Sequence, residues 1–197
     1  MVREFMLGFQ QPCHDRPTQP SLKDQEFRLS LNTSELFEIM RDIDDPVKRV
    51  DGFCDLLYTT YGWANTAGVR LSKSDDNEAL PNDAENEKHF KWLMQCCCGA
   101  AVSMTPQGIE YWLTAIVDAV YGWADKFGVN VETLDKCFDE VHRSNMGKFW
   151  SAEEIKQLPQ GWTIEASYGD AHIVKDENGK VRKVPGFPEP NLKEILG

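Results

Sequence analysis

Apolar and polar residues recur along most of this chain with the period of an α-helix. Leu36, Ile39, Met40 and Ile43 fall at i, i+3, i+4 and i+7, which is one helix face. This pattern begins near Phe27 and should stop at Asp44-Asp45-Pro46, because a residue before proline is pushed out of helical geometry. Val50, Phe53, Cys54, Leu57, Tyr61 and Ala64 predict a second helix from about Val47 to Thr66, stopped by Gly68. Phe90, Leu93, Met94, Cys97 and Ala101 predict a third, from about Glu87 to Val102. Thr105-Pro106 reads as the cap and first-turn proline of a fourth. Its stripe is Trp112, Leu113, Ile116, Val120, Trp123 and Phe127, and it ends at Gly128. Asn130 caps a fifth, running to about Arg143 with Leu134, Cys137, Phe138 and Val141 inward.

The remaining segments break this period. Residues 1–27 read as irregular, with Pro12, Pro17 and Pro20 as breakers. Residues 70–88 are polar and acidic and read as a surface loop. Ala171 to Val184 reads as a small β-hairpin with Asn178-Gly179 in the turn, and Pro185, Pro188 and Pro190 then make an extended tail. The expected architecture is a single all-α domain over 1–197, with four to five helices and a C-terminal arm from about residue 150. One internal echo stands out: Tyr61-Gly-Trp-Ala-Asn-Thr-Ala-Gly-Val69 against Tyr121-Gly-Trp-Ala-Asp-Lys-Phe-Gly-Val129. A helix-pair duplication would produce it, and so would two antiparallel helices with similar ends.

Charge changes the picture next. The 197 residues carry 21 Lys+Arg against 32 Asp+Glu, a net charge of −11. That argues against a nucleic-acid-binding surface, which needs clustered cations. No apolar run is long enough to span a bilayer, and the N-terminus lacks the form of a secretory signal. Cys13, Cys54, Cys96, Cys97, Cys98 and Cys137 form no CxxC pair. They read as reduced thiols of a cytoplasmic protein.

Two constellations can carry chemistry. Glu35 and Glu38 share a face at i and i+3, and Asp51 and Asp55 share one at i and i+4. Antiparallel packing of the two helices would gather four carboxylates, which then need a cation. Carboxylate oxygens suit Mg²⁺ or Mn²⁺. The same spacing also suits a solvated acidic face, although Asp55, set among Phe53, Cys54, Leu56, Leu57 and Tyr58, calls for a partner. The second constellation is Glu140-Val-His-Arg-Ser-Asn-Met-Gly-Lys148. Arg143, Asn145 and Lys148 are the groups that hold a phosphate or read a base, and basic residues are also ordinary at a helix C-terminus.

The segments Phe27 to Ile39, Asp51 to Gly62, Phe138 to Lys148 and Asn178 to Pro190 together resemble the MazG-like all-α nucleoside triphosphate pyrophosphohydrolases, in their phage-type branch. This group has the phosphoribosyl-ATP pyrophosphohydrolase-like domain. The resemblance leaves out roughly residues 70–108, taken as an insertion. It implies hydrolysis of a (deoxy)nucleoside triphosphate to monophosphate and pyrophosphate, with Mg²⁺ or Mn²⁺ as cofactor. Glu35, Glu38 and Asp55 fall on the family's metal-ligand motifs, whereas Ser34 and Gly52 stand where it has glutamates. Asp51 neighbours the second lost acid, and Asp118 is a candidate from the echoed helix. The resemblance further implies Glu35 or Glu38 as the group that activates water, Lys148 and Arg143 on phosphates and Asn145 on the nucleotide. Tyr58, Trp63 or Trp123 serve either a base pocket or the core. Members of the branch suggest dGTP or GTP, within phage 2-aminoadenine metabolism. A pyrimidine or damaged-base triphosphate is the alternative, and a degenerate helical interaction protein the alternative of another class. The family forms homodimers or homotetramers.

Overall fold

The computed structural model describes residues 1–71 and 84–197. Within them the chain forms helices α1 (Val2–Gly8), α2 (Leu22–Arg41), α3 (Pro46–Ala67), α4 (Asn86–Val102), α5 (Pro106–Lys126), α6 (Val131–Met146) and α7 (Leu192–Leu196). Strands β1 (Phe149–Trp150), β2 (Thr163–Tyr168) and β3 (Ala171–Lys175) form an antiparallel sheet in the order β1-β3-β2. The all-α expectation of four to five helices is therefore corrected. The described chain is mostly helical, with seven helices and a three-stranded sheet.

Four of the five long helices begin at a side-chain cap, α4 being the exception. Ser21 accepts from the Asp24 amide, Asp45 from Val47 and Lys48, Thr105 from Gly108, and Asn130 from Thr133. Pro46 and Pro106 occupy first turns, where a missing N–H costs nothing. Helix α2 starts at Leu22, five residues ahead of the expected Phe27, because Ser21 caps it. The stretch read as irregular also contains α1. The acidic run at 72–83 lies outside the described residues.

Helix α3 is the hub, packed by α2, α5, α6, α1 and α7. It runs antiparallel to α2: Asn32 Nδ2 donates to Thr60 Oγ1 at 2.9 Å, and Arg28 Nε to Thr66 Oγ1 at 3.0 Å. It also runs antiparallel to α5, since Phe53 meets Trp123 while Arg49, a turn earlier, covers Phe127 at 3.7 Å. Gly68 and Gly128 follow α3 and α5 in the left-handed region, at φ 64° and 77°. Val69 and Val129 donate to Ala64 and Ala124 at 3.0 and 3.1 Å, so the echoed segments form the same helix stop. Helix α4, inside the segment taken as an insertion, puts Leu93, Cys96, Cys97 and Ala100 into the main core.

The sheet is a small unit beside that core. Trp150, Ile173 and Val174 are buried in it, and Trp150 meets the Trp162 ring at 5.9 Å. The Asn178-Gly179 turn does form, with Gly179 at φ 77°, but its second limb pairs only through Lys175 and Val181. The extended partners of β3 are β1 and β2 instead. Among the described residues no helix is long and apolar enough to cross a membrane.

Helices α2 and α3 approach closely at Gly52. A Cβ there would stand 2.7 Å from Cγ1 of the fully buried Ile39. Gly52→Ala gains about 1 kcal/mol of helix propensity and meets an overpacking penalty of about 1–3 kcal/mol. We expect the penalty to win, lowering Tm by about 2–8 °C. In an Ile39→Ala background the same substitution should no longer destabilise, which a double-mutant cycle by thermal unfolding reads directly.

Candidate functional site

The α2–α3 register decides which acids meet. Between the Asn32–Thr60 rung and the Ile39–Gly52 contact lie Glu35 and Glu38 on α2, with Asp51 and Asp55 facing them on α3. Leu36, Ile39, Phe53, Cys54 and Leu56 beside them are fully buried, so the acids stand at the rim of an apolar seam. Burial pushes Glu35 up to about 7, and repulsion from Glu38 and Asp51 adds to it. Burial likewise pushes Asp55 up to about 8, reinforced by Asp51 and Glu35. Asp51 is raised for the same first reason, and the Lys183 ammonium opposes the shift.

No hydrogen bond or ion pair holds Glu35, Asp51 or Asp55 among the described residues, whereas Glu38 lies 3.7 Å from Arg41. The cation near Glu35 and Asp55 is Lys148, just after α6, whereas Asp51 feels Lys183. The Lys148 ammonium donates to Asn145 Oδ1 at 2.8 Å and lies 5.5 Å from the Phe5 ring centroid. Burial lowers its pKa, and the Asp55 and Glu35 carboxylates oppose that shift. Among the described residues no group of three or more His, Cys, Asp or Glu side chains is drawn together closely enough to hold a metal ion.

The other predicted residues divide. Asn145 belongs to the site through Lys148. Tyr58 borders it: burial and the Asp55 charge both raise its pKa, and its hydroxyl meets His142 Nδ1 at 3.0 Å. Arg143 is used elsewhere. It makes two 2.7 Å bonds to Glu140 and donates to the Pro188 and Glu189 carbonyls. Trp63 and Trp123 are fully buried core residues, and Trp123 donates to Asn86 Oδ1 at 3.1 Å. Asp118 sits on α5 facing Tyr61 rather than the four acids.

Sequence reasoning missed the C-terminal arm's share. Val184 N donates to the Gly147 carbonyl at 2.9 Å, and the Phe187 ring occupies the space a side chain at 147 would need. The Asn191 amide donates to Glu140 Oε1 at 2.9 Å. The arm is thereby laid over the end of α6, which brings Lys183 toward Asp51 and Lys148. No spacing rule links residue 183 to residue 148; the only signal was the resemblance of the tail. A separate cavity of about 540 Å³ is lined by Tyr61, Asn65, Tyr121, Asp135, Phe138 and Asp139 among others, and by none of the four acids.

Comparison with known proteins adds one relative. Uncharacterized protein L479 of Acanthamoeba polyphaga mimivirus is 26% identical over 210 aligned positions, covering 87% of this chain and 82% of that protein. No protein-family model and no solved structure matches the chain.

Glu35 and Asp55 bind their protons more tightly folded than unfolded. Their ionisation therefore opposes folding above about pH 8. That opposition is relieved as pH falls through about 8 and 7 toward the ordinary carboxylate range. In cation-free buffer we expect Asp55→Asn to raise Tm by several degrees at about pH 8 and by much less at about pH 5. Melting curves at the two pH values check it.

Proposed function

We propose that this chain is a divalent-cation-dependent pyrophosphohydrolase of (deoxy)nucleoside triphosphates, acting first on dGTP or GTP. The observation that carries the reading is the set of three unpaired, partly buried carboxylates, Glu35, Asp51 and Asp55, contributed by two antiparallel helices and faced by Lys148. Buried like charges without a counter-charge are unfavourable unless the working protein supplies one. The donor set, carboxylate oxygens alone, fits Mg²⁺ or Mn²⁺. Glu35, Asp51 and Asp55 would hold the ion with Glu38 at the rim. When bound, the ion neutralises triphosphate charge and polarises a phosphoryl oxygen.

The chain's own residues then have separable parts. Glu35 takes a proton from the attacking water at a carboxylate oxygen. The water oxygen bonds to the α-phosphorus, the bond to the α–β bridging oxygen breaks, and pyrophosphate leaves with that oxygen. Lys148 meets the phosphates, and Asn145 orients it. Tyr58 walls the site beside Asp55. A homodimer or homotetramer and a cytoplasmic location belong to the same reading.

Incubation with Mg²⁺ and each nucleotide in turn, with pyrophosphate and phosphate separated, tests it. We expect pyrophosphate and monophosphate, fastest from a guanine nucleotide. Glu35→Gln and Asp55→Asn should each lower kcat by about 10²–10⁴-fold, while Glu38→Gln, at the exposed rim, loses less. A faster pyrimidine nucleotide would move the substrate assignment. Absence of pyrophosphate from every nucleotide would leave a helical interaction protein in its place.

A further inference from the structure

The C-terminal arm holds a lysine with more restraint than a surface side chain needs. Arg182 N donates to the Val174 carbonyl and Val184 N to the Gly147 carbonyl, both at 2.9 Å, so the backbone is fixed on both sides of Lys183. Arg182 is also anchored through its guanidinium to Asp176. The Lys183 ammonium donates to Ser144 Oγ at 2.6 Å and pairs with Glu189 Oε2 at 2.5 Å. An ammonium has three donors, so one is left without a partner among the described residues. The two ends of the ion pair differ in freedom. The Lys183 side chain is 21% exposed and the Glu189 side chain 76%.

We propose that Lys183 is a phosphate-binding residue of the carboxylate site, and that Glu189 occupies it as an internal stand-in for the substrate's phosphate. The inference rests on the pyrophosphohydrolase reading for its substrate class. Lys183 is held by Ser144, next in the chain to Asn145, whose side chain accepts from Lys148, and its charge acts on both Lys148 and Asp51. A carboxylate and a phosphoryl oxygen offer the same acceptor chemistry to an ammonium. An ion pair with one exposed partner is weak and exchangeable, so a triphosphate carrying several charges displaces Glu189. No covalent step is involved.

The two ends of the pair then respond in opposite directions. With inorganic pyrophosphate and Mg²⁺ as the calorimetric probe, Lys183→Met should weaken binding at least about tenfold and raise the nucleotide KM comparably, with kcat changed less. Lys183→Arg should restore both. Glu189→Gln should tighten pyrophosphate binding by about two- to fivefold, because it removes the competitor. A purely structural pair would make both substitutions harmful or both silent, and either result overturns the proposal. If Lys183→Met fails to fold, Lys183→Arg and Glu189→Gln still decide the sign. A wild-type chain that turns over no nucleotide but binds pyrophosphate through Lys183 would sink the reaction reading and uphold this one. A wild-type chain that hydrolyses nucleotides with Lys183→Met unaffected would do the reverse.

Discussion

The close antiparallel contact of α2 and α3 is the constraint on which the rest depends. At Gly52 the helices approach until a single Cβ would intrude on Ile39. Two buried polar rungs, Asn32–Thr60 and Arg28–Thr66, then fix the register. A helix pair held by apolar packing alone can slide by a turn, and hydrogen bonds between fully buried groups remove that freedom. The register places Glu35 and Glu38 opposite Asp51 and Asp55. A side chain at 52 would press on Ile39, and the acid on that turn of α3 is Asp51.

Most helices were legible because their signals are local. Thr105-Pro106 and Asn130 each mark a cap that the structure uses, and Asp44-Asp45-Pro46, read only as a helix stop, also supplies the Asp45 cap of α3. The carboxylate set was legible for a related reason: i,i+3 and i,i+4 spacing survives folding. What failed was short or distant. Helices α1 and α7 have 7 and 5 residues, less than two turns of pattern. The sheet has strands of 2, 6 and 5 residues, and β2 is mostly exposed, so burial leaves little alternation to read. The Asn178-Gly179 turn was read correctly, yet the longer ladders of β3 belong to β1 and β2. Arg143 shows the same limit in a side chain. Its charge suited a phosphate, but Glu140 three residues earlier on the same helix takes it first.

The arm's placement follows from that pairing. Glu140 is held well below the carboxylate range, to about 2, first by Arg143 and also by the Asn191 amide. One carboxylate thus ties the helix surface to the chain 51 residues later, and Arg143 adds the carbonyls of Pro188 and Glu189. A residue that looked like a ligand-binding group instead positions the segment that delivers Lys183.

Local charge, rather than the total of −11, decides what the seam can attract. Glu38 is answered by Arg41, and Lys183 by Glu189. What remains is Glu35, Asp51 and Asp55 against Lys148, an excess of two negative charges in a half-buried place. Protons relieve that excess in the isolated chain, which is why burial and repulsion raise all three acids. One divalent cation would balance it at neutral pH without protonation, so an incoming polyphosphate would no longer meet a net negative site. An acidic protein can in this way present a locally neutral surface to an anionic substrate, provided its acids are gathered rather than spread.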